Sequence, residues 1–179
     1  MVGKRFNSAS VTDQLMAKRW TRRNALRSLG TIGTLSIAGC LGSSNGQSWD
    51  IKENLAVTNA QQYNSPGCGC CKQYASYFRE NADGKLTETV PDDIYRIKRK
   101  HNIPQKLQGC HTLVLDDYFV EGHVPLEVVS KLRTETPDID GVALPGMPAG
   151  SPGMGGEKRR EFVVYAIGGE QGTEKYMTI

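Results

Sequence analysis

The sequence predicts an α/β fold: a mixed β-sheet covered by helices, with a β-hairpin added at the C-terminus. Three observations carry that expectation. From residue 54 onward, strand-like and helix-like segments alternate in the order β-α-β-α-β-β-α before two further strands. Hydrophobic residues make up 38% of the 179, enough for one small domain and not two. Glycine (20 residues) and proline (8) together exceed the usual combined share of about 12%, which favours a loop-rich fold over a helical bundle.

Leu55 to Tyr63 reads as a weak first strand, and Asn64-Ser65-Pro66-Gly67 as a turn. Cys70 to Asn81 follows as a helix, with Tyr74, Tyr77 and Phe78 forming an apolar stripe at i, i+3 and i+4. Lys85 to Val90 is a short strand closed by Pro91, and Asp92 or Asp93 caps the next helix. In that helix Ile94 and Ile97 are expected inward, and Arg96, Lys98, Arg99 and Lys100 outward as a solvated basic face. Its C-terminal end, where the helix dipole favours positive charge, is capped by His101. Thr112–Asp116 and Tyr118–Gly122 make the clearest hairpin. Pro125 opens a third helix with Leu126, Val129 and Leu132 on one face. A Gly/Pro/Met loop over 144–156 then leads to a last hairpin, Phe162–Ile167 and Thr173–Thr178.

Residues 1–39 read as an address ahead of that domain. Thr21-Arg22-Arg23-Asn24-Ala25-Leu26-Arg27 resembles a twin-arginine export signal, with Arg22 and Arg23 as its pair. The weakly apolar stretch after it falls short of the about 18 residues that span a bilayer and suits a signal segment. It ends in Ile37-Ala38-Gly39-Cys40, which resembles a lipobox with Cys40 as the lipidated residue. Residues 40–53 then form a small, polar tether and 54–179 the folded domain. The expected product is exported and lipid-anchored to the outer face of the cytoplasmic membrane.

The net charge of +3 hides an asymmetry. Residues 1–39 hold seven basic side chains and one acid, and the remainder carries 15 basic and 18 acidic groups. A nucleic-acid-seeking surface on the folded part is not expected. No Ser/His/Asp set, phosphate loop or convincing carboxylate pair is present, so hydrolase and nucleotide chemistry are not expected either. Five cysteines are too few for a disulfide-dense scaffold of this length.

The cysteines instead form a constellation. Cys68 and Cys71 are a C-x-x-C pair at a predicted helix N-terminus, where free N–H groups and the helix dipole stabilise thiolate, the form that attacks disulfides and binds metals. Cys70 adds a sulfur that simple dithiol exchange does not need. Cys110-His111 precedes the hairpin and His123 follows it. With Asp116-Asp117 as a two-residue turn, Leu115 pairs with Tyr118, which sets Cys110 opposite His123 and His111 opposite Gly122. Met147 and Met154 stand further off as candidate outer contacts, since thioethers suit Cu(I). Three chemistries remain open: a soft-metal centre for copper, thiol–disulfide exchange through Cys68 and Cys71, and a structural zinc site. The adjacent Cys70-Cys71 pair makes tetrahedral zinc awkward.

Four stretches taken in order, Asn64–Lys72, Gly109–Thr112, Glu121–Pro125 and Pro145–Met154, resemble the CopG family of exported copper-resistance proteins, which is distinct from the ribbon-helix-helix repressors sharing that name. The resemblance spans roughly residues 60–178. It implies a thioredoxin-like domain whose cysteines bind a multi-copper cluster with copper redox activity. Carried over, it makes Cys68, Cys70, Cys71 and Cys110 the core ligands, and His111 and His123 their neighbours. Copper ions and other copper-handling proteins are the partners expected with it, and the membrane is a partner through the lipid anchor at Cys40. Thioredoxins carry a cis-proline where this chain has His111, and only the histidine can ligate a metal.

Overall fold

The computed structural model describes residues 53–170 and 172–179. Arg22, Arg23, Cys40 and the tether as far as residue 52 lie outside the described residues. Among the described residues no helix is long and apolar enough to cross a membrane.

The element order is β1 (Leu55–Asn64), α1 (Gly69–Asn81), β2 (Ala82–Thr89), α2 (Ile94–Lys100), a 3-10 turn (Gln105–Leu107), β3 (His111–Leu115), β4 (Tyr118–Gly122), α3 (Leu126–Glu135), β5 (Gly141–Leu144), β6 (Val163–Ile167) and β7 (Thr173–Thr178). All the strands join one mixed sheet in the order β2-β1-β3-β4-β5-β6-β7. β1 runs parallel to β2 and antiparallel to β3, and β3 pairs antiparallel with β4. This β2-β1-β3-β4 unit, with α1 linking its two parallel strands, fits a thioredoxin-like arrangement.

Two expectations need correction. The residues between α3 and the Gly/Pro/Met loop were expected to carry no strand, yet Gly141–Leu144 forms β5, parallel to β4 and antiparallel to β6. The C-terminal hairpin is therefore not an appendage but continues the sheet. Four residues are too few to show a two-residue alternation, and both faces of β5 are buried, so polar positions give no rhythm. The second correction concerns Lys98, which is not on the solvated face of α2. Its side chain is 1% exposed and pairs with Glu121, whose side chain is fully buried. Ile94 is buried and Lys98 lies one helical turn after it, so the two share an inward face. Ile97, expected inward, is partly covered. Asp93 is the cap of the expected two, its carboxylate accepting from the N–H groups of Tyr95 and Arg96.

The sheet separates two packed faces. On one, Tyr74, Ala75 and Phe78 of α1 and Leu126, Val129 and Leu132 of α3 pack with Leu113, Leu115, Val120 and Val142. On the other, Ile103 and Leu107 pack on Phe119, Ala143 and Ile167. The His101 ring lies 5.4 Å from that of Phe119, while its backbone N–H closes α2 on the Ile97 carbonyl.

Direction decides what meets at one edge of this sheet. β1 ends there at Asn64, β3 starts there at His111, and β4 ends there at Gly122. Because β5 is parallel to β4, it too delivers its following loop to that edge.

Candidate metal centre

The hairpin register is the expected one: Leu115 pairs with Tyr118, Val114 with Phe119, Leu113 with Val120 and Thr112 with Glu121. Two steps beyond the last ladder pair, Cys110 Sγ lies 3.1 Å from His123 Nε2. The α1 tip is brought alongside by Ser65, whose N–H and hydroxyl both donate to the Cys110 carbonyl at 3.0 and 2.7 Å. Cys68 occupies the α1 N-cap, its sulfur accepting from the Cys71 N–H at 3.2 Å. Cys70 Sγ then stands 3.5 Å from Cys68 Sγ and 3.6 Å from Cys110 Sγ.

Two ligand sets result, each with its donor atoms within 4.8 Å of one another. One is Cys68, Cys70, Cys71 and Cys110; the other is Cys110, His111 and His123. Cys110 belongs to both. All six residues expected to ligate are thus brought together. In this structure Cys68 and Cys71 are joined by a disulfide, and Cys70 and Cys110 are free, half-buried thiols.

The histidines are held as neutral rings. His123 Nδ1 lies 2.6 Å from the Pro152 carbonyl, which can only accept, so Nδ1 carries the hydrogen and Nε2 offers its lone pair toward Cys110. Burial lowers the pKa of His123, with the Pro152 carbonyl opposing. Burial also pushes His111 well below its ordinary value, helped by His123 and Lys98. His111 Nδ1 lies 3.6 Å from Cys110 Sγ, and its Nε2 is buried without a hydrogen-bond partner among the described residues. A buried, unpaired imidazole nitrogen is costly unless something binds it. Burial and the neighbouring Cys70 push the Cys110 thiol up to about 12. A bound cation reverses that preference, because it stabilises thiolate directly.

Residues outside the expected set shape the centre. Tyr74, fully buried, wedges against both imidazoles, with ring centroids 4.5 Å from His111 and 5.5 Å from His123. Its hydroxyl is anchored on the Val124 carbonyl at 2.8 Å. Gln62, polar in the middle of β1, donates to the Cys71 carbonyl at 2.9 Å and to Asn64 Oδ1 at 2.7 Å. The aromatic stripe announced Tyr74 as core, and the run of glutamines in β1 was the visible sign of Gln62. Nothing in the sequence marked the Pro152 carbonyl.

Of the methionines, Met147 is 41% exposed with φ +45°, and Met154 is half-buried, its N–H donating to the Ser151 carbonyl. The loop they belong to is seated on α1 at Gly153 (φ +76°), where a Cβ would stand 2.6 Å from the Tyr74 nitrogen and 3.1 Å from the Cys70 carbonyl oxygen.

A mixed α/β sheet with four sulfurs and two imidazoles at one edge defines a Cys/His domain whose donors suit a soft metal. Two solved structures of a copper resistance protein, CopG, in its forms 1 and 2, align with this fold at TM-scores of 0.62 and 0.61. They are 34% and 36% identical to the chain, cover 69% and 71% of it, and are themselves covered over 98% and 99% of their length. A family model described as a protein of unknown function, DUF411, matches residues 107–154. No curated protein matches. The chain belongs to the CopG family of copper-resistance proteins.

Proposed function

We propose that this protein serves copper resistance by binding Cu(I) at the sheet edge through Cys68, Cys70, Cys71 and Cys110, with His111 and His123 completing the centre. The observation that carries the reading is the convergence of two ligand sets on one shared sulfur. Thiolates select Cu(I) over harder divalent ions, and adjacent or shared sulfurs suit more than one copper. Copper held there would exchange single electrons between its Cu(I) and Cu(II) forms. The chain supplies the rest: His123 with its proton fixed on Nδ1, burial that limits water, and the Tyr74 wedge that sets both rings. Zinc is the weaker occupant, since Cys70 and Cys71 are adjacent in sequence.

The export signal at Arg22-Arg23 and lipidation at Cys40 complete the reading, placing the centre outside the cytoplasmic membrane, within reach of other copper-handling proteins. Its cellular half is checked by fractionation: Cys40→Ala should release the protein from membranes, and Arg22→Lys with Arg23→Lys should block export.

The test of the chemistry is an anaerobic Cu(I) titration of the reduced, full-length protein, with metal analysis and X-ray absorption at the copper edge. More than one copper per chain with sulfur ligation and a short copper–copper distance is the expected result. Failure to retain copper overturns the reading.

A second reading is favoured by the Cys68–Cys71 disulfide. Cys68 lines a cavity of about 220 Å³ with Ser65, Gly67, Lys72 and Val90, whereas Cys71 is fully buried. An incoming thiolate would attack Cys68 Sγ, break the Cys68–Cys71 bond and release Cys71 as thiolate. A second substrate thiol would then resolve the mixed disulfide, and oxidation of a thiol substrate that survives Cys110→Ser would select this reading over copper.

A further inference from the structure

A buried ion pair stands directly behind the centre, on the sheet face opposite Tyr74. Lys98 on α2 and Glu121 on β4 bridge, with side chains 1% and 0% exposed. Both carboxylate oxygens of Glu121 are in use. Oε1 accepts from Lys98 and, at 2.6 Å, from the backbone N–H of Gly109; Oε2 accepts from the Thr112 hydroxyl at 2.6 Å. Lys98 also donates to that hydroxyl at 3.2 Å.

Burying two charges is expensive, and an apolar pair of similar volume often serves a fold as well or better. The position of the pair shows what else it does. The β3–β4 ladder ends at Thr112 and Glu121, and beyond it Cys110 and His123 have no ladder bond between them. The Glu121 bond to Gly109 falls in that gap. Gly109 is drawn so close to β4 that a Cβ on it would lie 2.9 Å from the Gly122 Cα. The segment entering Cys110 is therefore pressed onto the segment leaving for His123, and the 3.1 Å Cys110–His123 approach follows.

We propose that Lys98 and Glu121 are positioning residues that clamp Gly109 onto Gly122 and thereby set the spacing of Cys110 and His123. Lys98 fixes the carboxylate, and the carboxylate fixes the backbone ahead of the shared sulfur. The consequence for metal rests on the copper reading; the spacing itself does not.

Alkylation of the metal-free, full-length protein with iodoacetamide tests the clamp, read by peptide mapping at Cys70 and Cys110 separately. Cys70 is half-buried like Cys110 but sits on the α1 tip, which neither Lys98 nor Glu121 contacts and which reaches the clamped segment only through Ser65 and the 3.6 Å approach of the two sulfurs, so a smaller change is expected there. In Lys98→Met/Glu121→Leu, Cys110 should label about tenfold faster and Cys70 within about twofold of the parent, as expected for a local rather than a global opening. Glu121→Asp, which keeps the charge but falls one methylene short of Gly109, should shift Cys110 in the same direction. It decides the matter if the apolar pair does not fold. An unchanged Cys110, or equal acceleration at both cysteines, overturns the proposal. If the parent binds copper, the same variants should lose part of the imidazole contribution to the copper-edge spectrum, the share of His123. If the parent binds none, the copper reading fails while the labelling result stands.

Discussion

His123 and His111 illustrate how much a single contact decides. The Pro152 carbonyl dictates which nitrogen of His123 carries hydrogen, and burial keeps both rings neutral. Neutrality has a cost with a definite sign. The unfolded chain takes up protons on these rings below about pH 6.5, while the folded chain resists, so stability is full above that pH and falls below it. For each ring that stays neutral in the fold the loss reaches about 1.4 kcal/mol per pH unit. Glu121 acts in the opposite sense, because burial raises its pKa against the pull of Lys98 and of its hydrogen bonds. With two imidazoles against one carboxyl, the thermal midpoint of the metal-free protein should fall between pH 7.5 and 5.5, and His111→Gln should flatten that slope. A midpoint unchanged over the interval in the parent would refute this. The six ligand candidates were legible in the sequence because cysteine and histidine carry their chemistry in their identity. The residues that orient them were not: Pro152 acts through a backbone carbonyl, which every residue has. Lys98 and Glu121 look like solvated charges until two periodicities are combined, one putting Lys98 a turn after Ile94 and the other pairing Thr112 with Glu121.

At the scale of elements, the loop between β5 and β6 is the least obvious part of the centre. Its methionines drew attention in the sequence, yet its documented hold on the site is through Pro152 and Gly153. Gly153 combines a positive φ with contact against the first turns of α1, so Gly153→Ala meets both backbone strain and overlap, at a cost of about 2 kcal/mol. It should weaken Cu(I) binding by lifting Pro152 from His123, whereas Met147→Leu, at an exposed position, should leave the folded stability within about 0.5 kcal/mol of the parent. Competition against a Cu(I) chelator together with thermal melts would show this. Equal and small effects of the two changes on stability and affinity would remove the loop from the centre. The hairpin was the most legible element, since a two-residue turn fixes every pair along both strands. β5 was the least legible, because a four-residue strand buried on both faces has no pattern to display.

At the scale of the molecule, the copper reading sets two chemical states in competition for the same sulfurs. The Cys68–Cys71 disulfide withdraws two of the four thiols from the all-cysteine set and leaves Cys110, His111 and His123 untouched. Copper capacity should therefore be lower after oxidation with diamide and return with a thiol reductant, as measured by bound copper per chain after desalting. Equal capacity in both states would show that Cys68 and Cys71 are not ligands. The α/β class and the order of the first four strands were readable because their alternation repeats over more than sixty residues. The joining of the last hairpin to the same sheet was hidden with β5.

The parallel pairing of β4 and β5 has one more consequence. A chain ending at Thr136 would retain every cysteine and histidine of the cluster and the four strands that carry them, yet would lack Pro152 and Gly153. Donors and tuning are thus written in separate stretches of the gene product. On the copper reading, changes in residues 145–156 would alter how His123 is held while every ligand stays fixed, so two homologues with identical ligand motifs need not hold a metal alike.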